Sequence, residues 1–113
     1  ANRWRAAGAR IIPVEANPGQ ISPTAMLAAL GQTGITRVFC EGGGMLAASL
    51  HAADLVDELV VFAAGKLIGA EGQPSIGPLA LAELSAAPTF DLIETRSIGN
   101  DVMQRWSRPL SAP

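Results

Sequence analysis

"FCEGGGML", residues 39–46, ends an apolar run on a lone carboxylate and sets three glycines in a row before a new apolar pattern begins. Glycines surrender the most backbone freedom on folding, so three together need a reason. A strand that runs into glycines and then a helix can hold an anion. Without a Cβ, glycine lets a phosphate approach the backbone, and the first helical N–H groups point outward without partners, with the helix dipole adding positive charge. The stretch lacks the spacing of the G-x-G-x-x-G fingerprint and the Lys-Ser/Thr of a P-loop. Two readings therefore stand side by side, a phosphate-binding turn and a merely tight strand-to-helix turn. Glu41 follows Val38, Phe39 and Cys40 at the carboxyl end of the expected strand, where ligands of α/β sheets bind. A carboxylate there suits hydroxyls or amines of a ligand better than its phosphates. The plainer alternative is a carboxylate satisfying the free amides of a helix N-terminus.

Outward from this turn, the pattern alternates helix and strand. Residues 1–8 read as a helix stopped by Gly8. Residues 10–15, "RIIPVE", read as a short strand, with Pro13 favouring a sheet edge. "ANPGQ" is a turn in which Pro18-Gly19 matches type II chemistry. A helix follows, capped by Ser22, with Pro23 at its first position and Gly31 and Gly34 at its end. "TRVFCE", residues 36–41, reads as a strand, and "GGMLAASLHAA" as a helix with Leu46, Leu50 and Ala53 on one side. "DELVVFAAG" reads as a strand buried on both faces. Residues 66–88 form a long Gly- and Pro-rich loop with at most a short helical turn. "TFDLIETRS" and "DVMQRWSRP" form an antiparallel hairpin around "IGND", where Gly99 and Asn100 suit positive φ angles. The expected class is α/β, a mostly parallel sheet flanked by helices with an antiparallel hairpin at its edge.

The 113 residues suffice for one compact domain, and 49% are hydrophobic, many of them alanine. Three Phe, two Trp and no Tyr make a base-stacking surface unexpected, and a net charge of −2 argues against a general nucleic-acid binder. The single cysteine, Cys40, excludes an intrachain disulfide and fits a reducing compartment. No apolar stretch approaches the ~20 residues needed to cross a bilayer. A cytoplasmic protein is expected, with no membrane and no nucleic-acid partner.

Other candidates have plainer readings. His51, the only histidine, is a conceivable base but sits mid-helix like a surface or half-buried residue. Asp57 and Glu58 begin a strand and alternate to opposite faces, which suits hydrogen bonding at a strand start better than paired acid–base chemistry. Lys66 reads as a solvated lysine, Cys40 as a small buried hydrophobe, and Trp106 as packed on the sheet. One His and one Cys do not make a metal site.

"VFCEGGGMLAASLHAADLVDELVVFAAGKLIG" and the ending "IGNDVMQRWSRP" resemble the reductase domain of the bifunctional riboflavin-biosynthesis deaminase–reductase, over residues 10–109. The resemblance implies a dihydrofolate-reductase-like fold and an NADPH-dependent reductase. Its reaction would convert the ribosyl group of 5-amino-6-(5-phosphoribosylamino)uracil to the ribityl form. It implies that Glu41 binds the ribosyl part of the substrate. It further implies that Gly43, Gly44, Met45, Leu46, Ala47, Ala48 and Ser49 hold NADPH, with Gly42 completing the bend. A cis peptide at Gly42-Gly43 is expected by the same likeness. Gly65 stands where the family usually has proline before Lys-Leu-Ile-Gly. The family's opening strand and its phosphate-gripping basic residues have no counterpart here. The chain is thus expected to be the C-terminal part (residues 1–113) of a reductase domain. Completion is expected from the rest of that domain or from a symmetric copy in a homodimer. No residue stands out as proton donor. The rival expectation is a nucleotide-binding or oligomerisation module without chemistry.

Overall fold

The computed structural model describes residues 1–109, and of Asn17 the backbone alone; the last four residues of the expected domain span, 110–113, lie outside the described residues. By packing, the chain divides into two compact units, Ala1–Cys40 and Glu41–Pro113.

The first unit is built from turns and caps. Helix α1, Asn2–Ala6, is followed by Gly8 at φ +96°, the left-handed conformation that stops it. Strands β1, Ala16–Asn17, and β2, Gln20–Ile21, pair antiparallel across Pro18-Gly19. Gly19 has φ +79°, as a type II turn demands at its third residue. The strand expected at 10–15 does not form; only two residues per arm pair, beside the turn and beyond Pro13, which cannot donate to a ladder. Helix α2, Pro23–Gln32, is capped as its sequence dictates: the Ser22 hydroxyl accepts the Ala25 N–H at 3.2 Å, with proline at the first position. The helix runs through Gly31, and Gly34, at φ +95°, ends it.

Residues 36–41, expected as a strand, pair with no other strand among the described residues. A strand exists by its ladder, and none is offered here, so Val38 and Phe39 stand exposed. Cys40 is exposed too, and is not the buried hydrophobe its neighbours suggested.

The second unit pairs one helix with one sheet. Helix α3 spans Gly44–Ala52. Strands β3, Glu58–Ala63, β4, Asp91–Ile98, and β5, Asp101–Ser107, form a sheet of order β3-β5-β4. Both pairings are antiparallel. The expected C-terminal hairpin is present: Ile98 pairs with Asp101 across Gly99 and Asn100. Only Gly99 has positive φ, +59°, the pattern of a II′ turn rather than a double left-handed one. The mostly parallel sheet is a correction. β5 returns from the hairpin directly onto β3, and no parallel pair forms among the described residues. β3 is consequently an edge strand, and Val60, Val61 and Phe62 are exposed rather than covered on both faces.

Two features set the sheet's geometry. β4 carries a bulge between Leu92 and Glu94, so that Glu94 lies opposite Arg105. Arg105 on the central strand then spans both neighbours, reaching Glu58 at 3.1 Å and Glu94 at 3.4 Å. The hydrogen bonds to Glu58 and then Glu94 raise its pKa. The loop after β3 contains one short 3-10 turn, Leu84–Ala86, in line with the sequence. The core among the described residues is small: Ala48, Leu50 and Met103 are the buried hydrophobic side chains.

Candidate functional site

The turn at residues 41–46 precedes α3, whose N-cap is Gly43 at φ −70°, ψ 178°, with no side-chain cap. All the peptide bonds described are trans, Gly42-Gly43 included, so the expected cis bond is absent. None of the three glycines has positive φ. The choice of glycine must therefore come from what approaches the backbone. At Gly44 the approach is internal. A Cβ there would lie 2.7 Å from the Pro74 carbonyl oxygen, 3.2 Å from the Gly77 nitrogen and 3.3 Å from the Ser75 carbonyl oxygen. The Gly77 N–H donates to the Gly44 carbonyl at 2.9 Å. At Gly42 a Cβ would meet the Leu46 side chain, 2.6 Å from its terminal Cδ2 and 3.5 Å from its Cβ and Cγ. At Gly43 it would meet nothing within 4 Å. Neither its φ nor its neighbours require glycine at 43.

Among the described hydrogen bonds, none uses the amides of Gly43, Gly44, Met45 or Leu46 as donors; the first is Ala47 N–H to Gly43 O, at 3.1 Å. These four N–H groups are the free donors that a helix start leaves. Glu41, Gly42, Gly43, Met45 and Leu46 are exposed, while Gly44, Ala47 and Ser49 are half-buried. Ala48 is buried, one turn after Gly44 on the same helix face, beside Gly77. The structure thus brings the sequence-expected residues into one turn and one helix start, but Ala48 faces the packed side.

The opposite end of α3 is organised otherwise. Asp54, at φ +57°, turns the chain toward β3. Arg108 fastens that turn. Its guanidinium donates to the carbonyls of Asp54, 2.7 Å, and Val56, 3.1 Å, and to the Asp54 carboxylate, 3.4 Å. Its main-chain N–H donates to Asp57 O at 2.9 Å, and its Nε lies 3.6 Å from the Asp57 carboxylate. Asp57 and Glu58 thus serve two different arginines, as their opposite faces imply. His51 meets Phe90 edge to face at 5.7 Å, and partial burial lowers its pKa. Two shallow cavities of roughly 320 and 280 Å³ flank this end, lined by His51, Leu79 and Leu81 and by Val56, Phe90 and Arg108, with Asp54 and Pro88 common to both. Arg108 carries no local signal of this role, because its partners lie about fifty residues away in the chain. Trp106 is half-buried, its indole N–H donating to Gln104, and Lys66 is exposed. Among the described residues no cluster of metal-ligating side chains forms and no helix is long and apolar enough to cross a membrane.

A family model described as the RibD C-terminal domain matches residues 2–104. The chain belongs to that family. Within the RibD C-terminal domain family, it is 33% identical over 93 residues to the riboflavin biosynthesis protein RibD of Escherichia coli. That match takes 82% of this chain and 25% of the relative. It is 37% identical over 73 residues to the protein of the same name from Haemophilus influenzae, 65% of this chain and 20% of the relative. The chain thus spans a quarter or less of the length of these RibD relatives. Two solved structures of Acinetobacter baumannii RibD superpose with TM-scores of 0.68 and 0.67 over 78% of this chain and 25% of theirs, at 21% identity. That likeness bears out the fold that the resemblance implied, over the part of the chain that superposes.

Proposed function

We propose that this chain is part of an NADPH-dependent reductase of riboflavin biosynthesis. It would act on 5-amino-6-(5-phosphoribosylamino)uracil and convert its ribosyl group to the ribityl form. Membership of the RibD C-terminal domain family supports the pathway and the reaction class. The observation that carries the cofactor reading is Gly43: open space where a Cβ would stand, beside four amides with no acceptor among the described hydrogen bonds. Such donors fit a pyrophosphate. NADPH supplies the hydride. The amides of Gly43, Gly44, Met45 and Leu46 bind its phosphates, and the first turns of α3, through Ala47 and Ser49, shape the approach, with Gly42 making the bend. Ala48 supports this from the packed side. Glu41, exposed just ahead of the glycines, accepts hydrogen bonds from the ribosyl hydroxyls and orients the reacting carbon.

The outer edge of β3, without a partner strand among the described residues, and its exposed Val60, Val61 and Phe62 support completion by a further strand, from the rest of the domain or from a symmetric copy in a homodimer. The same exposed edge favours a second reading, an oligomerisation or nucleotide-binding module without chemistry. A cytoplasmic location follows from the pathway.

The test is NADPH oxidation with the pyrimidine substrate, run on this chain and on the chain extended at its N-terminus. Turnover by either form supports the reductase; NADPH binding with turnover by neither favours the module. Glu41→Gln is expected to raise KM for the pyrimidine about tenfold while sparing NADPH, as loss of one charge-assisted hydrogen bond would. Equal weakening of both ligands would remove Glu41 from the substrate.

A further inference from the structure

The loop that follows β3 does not merely pass the glycine turn; it packs on it. The Gly77 N–H donates to Gly44 O at 2.9 Å. Pro74 O and Ser75 O stand so close to the Gly44 backbone that a Cβ there would be 2.7 and 3.3 Å from them. The fit is reciprocal. A Cβ at Gly77 would stand 3.1 Å from Met45 Sδ, 3.2 Å from Gly44 O and 3.5 Å from Ala48 Cβ. Glycine on both sides lets two main chains meet where any side chain would hold them apart. Ala48, small and buried, continues the same contact one turn on.

This contact gives the turn two unlike sides. On the Gly44 side stand two carbonyl oxygens, whose partial negative charge and bulk turn an anion away. On the Gly43 side there is open space. We infer that residues 74–77 are a positioning segment, held by the Gly77–Gly44 contact, that closes the Gly44 side of the turn and directs an incoming anionic ligand onto the Gly43 side. This rests on the dinucleotide reading above. Gly77 touches no ligand on this account; it acts through Gly44 and Met45.

The test uses the intact protein with NADPH as the probe, and two variants. Gly43→Ala places a methyl in the open space without touching the loop; its cost as an N-cap change is read from Tm, and its KM for NADPH reports on the dinucleotide reading. Gly77→Val pushes the loop from the turn and reports on the positioning. Both are expected to raise KM for NADPH about tenfold, with kcat and the pyrimidine KM within about twofold. The Met45→Ala change, placed in a Gly77→Ala background, is expected to restore part of the affinity by removing the sulfur that the new methyl meets. A general loss of stability would not be relieved in this way, and would lower kcat through loss of folded enzyme. If Gly43→Ala weakens NADPH and Gly77→Val does not, the positioning role is overturned and the dinucleotide reading stands. If the unmodified protein does not bind NADPH, both fall.

Discussion

The two ends of α3 are built on opposite plans. At its C-terminal end most polar groups are taken up: Arg108 collects two carbonyls and a carboxylate, leaving its buried Nε with the Asp57 carboxylate at 3.6 Å but no hydrogen bond, and His51 rests against Phe90. At its N-terminal end the amides of residues 43–46 have no acceptor among the described hydrogen bonds, and no side chain caps the helix. Leaving helix-end donors without a cap costs about 1 kcal/mol in an ordinary helix. On the proposed reading, one end is arranged for stability and the other for a ligand. The two ends should therefore answer differently to substitution.

The largest effect is expected at Gly44. Alanine favours a helix over glycine by up to about 1 kcal/mol, but its methyl would meet the Pro74 carbonyl at 2.7 Å. Main chain cannot rotate away, and overpacking of this kind costs about 1–3 kcal/mol. The clash wins. Gly44→Ala should lower Tm and weaken NADPH together; an unchanged Tm would show that the loop yields freely. Next comes Arg108→Ala, which abandons acceptors that water can partly reach. A loss of about 1 kcal/mol in denaturant unfolding is expected, with NADPH affinity untouched. Weakened NADPH binding would erase the distinction between the two ends. The smallest effect belongs to pH. Burial holds the His51 pKa below its ordinary 6.5, so the folded state resists protonation that the unfolded chain accepts. Stability is then full above that value and declines as pH falls below it, the unfolded chain binding the extra proton. Melting temperatures between neutral and mildly acidic pH should show this slope, and His51→Phe should flatten it. A slope of opposite sign would mean that the imidazole gains a partner in the fold.

What could be read in the sequence follows what is local. Ser22-Pro23, Pro18-Gly19 and Gly99 dictate a cap and two turns by their own chemistry, and each stands where expected. The glycine turn and α3 were legible for the same reason. Residues 36–41 and the parallel sheet were not, because a strand is defined by a neighbour and an apolar run names none. "ELVVFA" reads as central, yet among the described residues it borders β5 alone. At the site, Gly42, Gly43 and Gly44 look alike as letters. Only the space around each separates the one shaped by the Pro74 carbonyl from the one left open. Arg108 was silent for a comparable reason, since its function is fixed by partners distant in the chain.

The bulge at Ile93 has a consequence for how this domain can vary. The bulge takes Ile93 out of the ladder, so that Glu94 rather than Ile93 lies across from the central guanidinium. Deleting Ile93 would close the bulge into a regular ladder, with Glu94 following Leu92 directly and still opposite Arg105. A residue lost here would therefore remove the local kink while sparing the acid–guanidinium pair, and natural variants one residue shorter at this point should keep that pair.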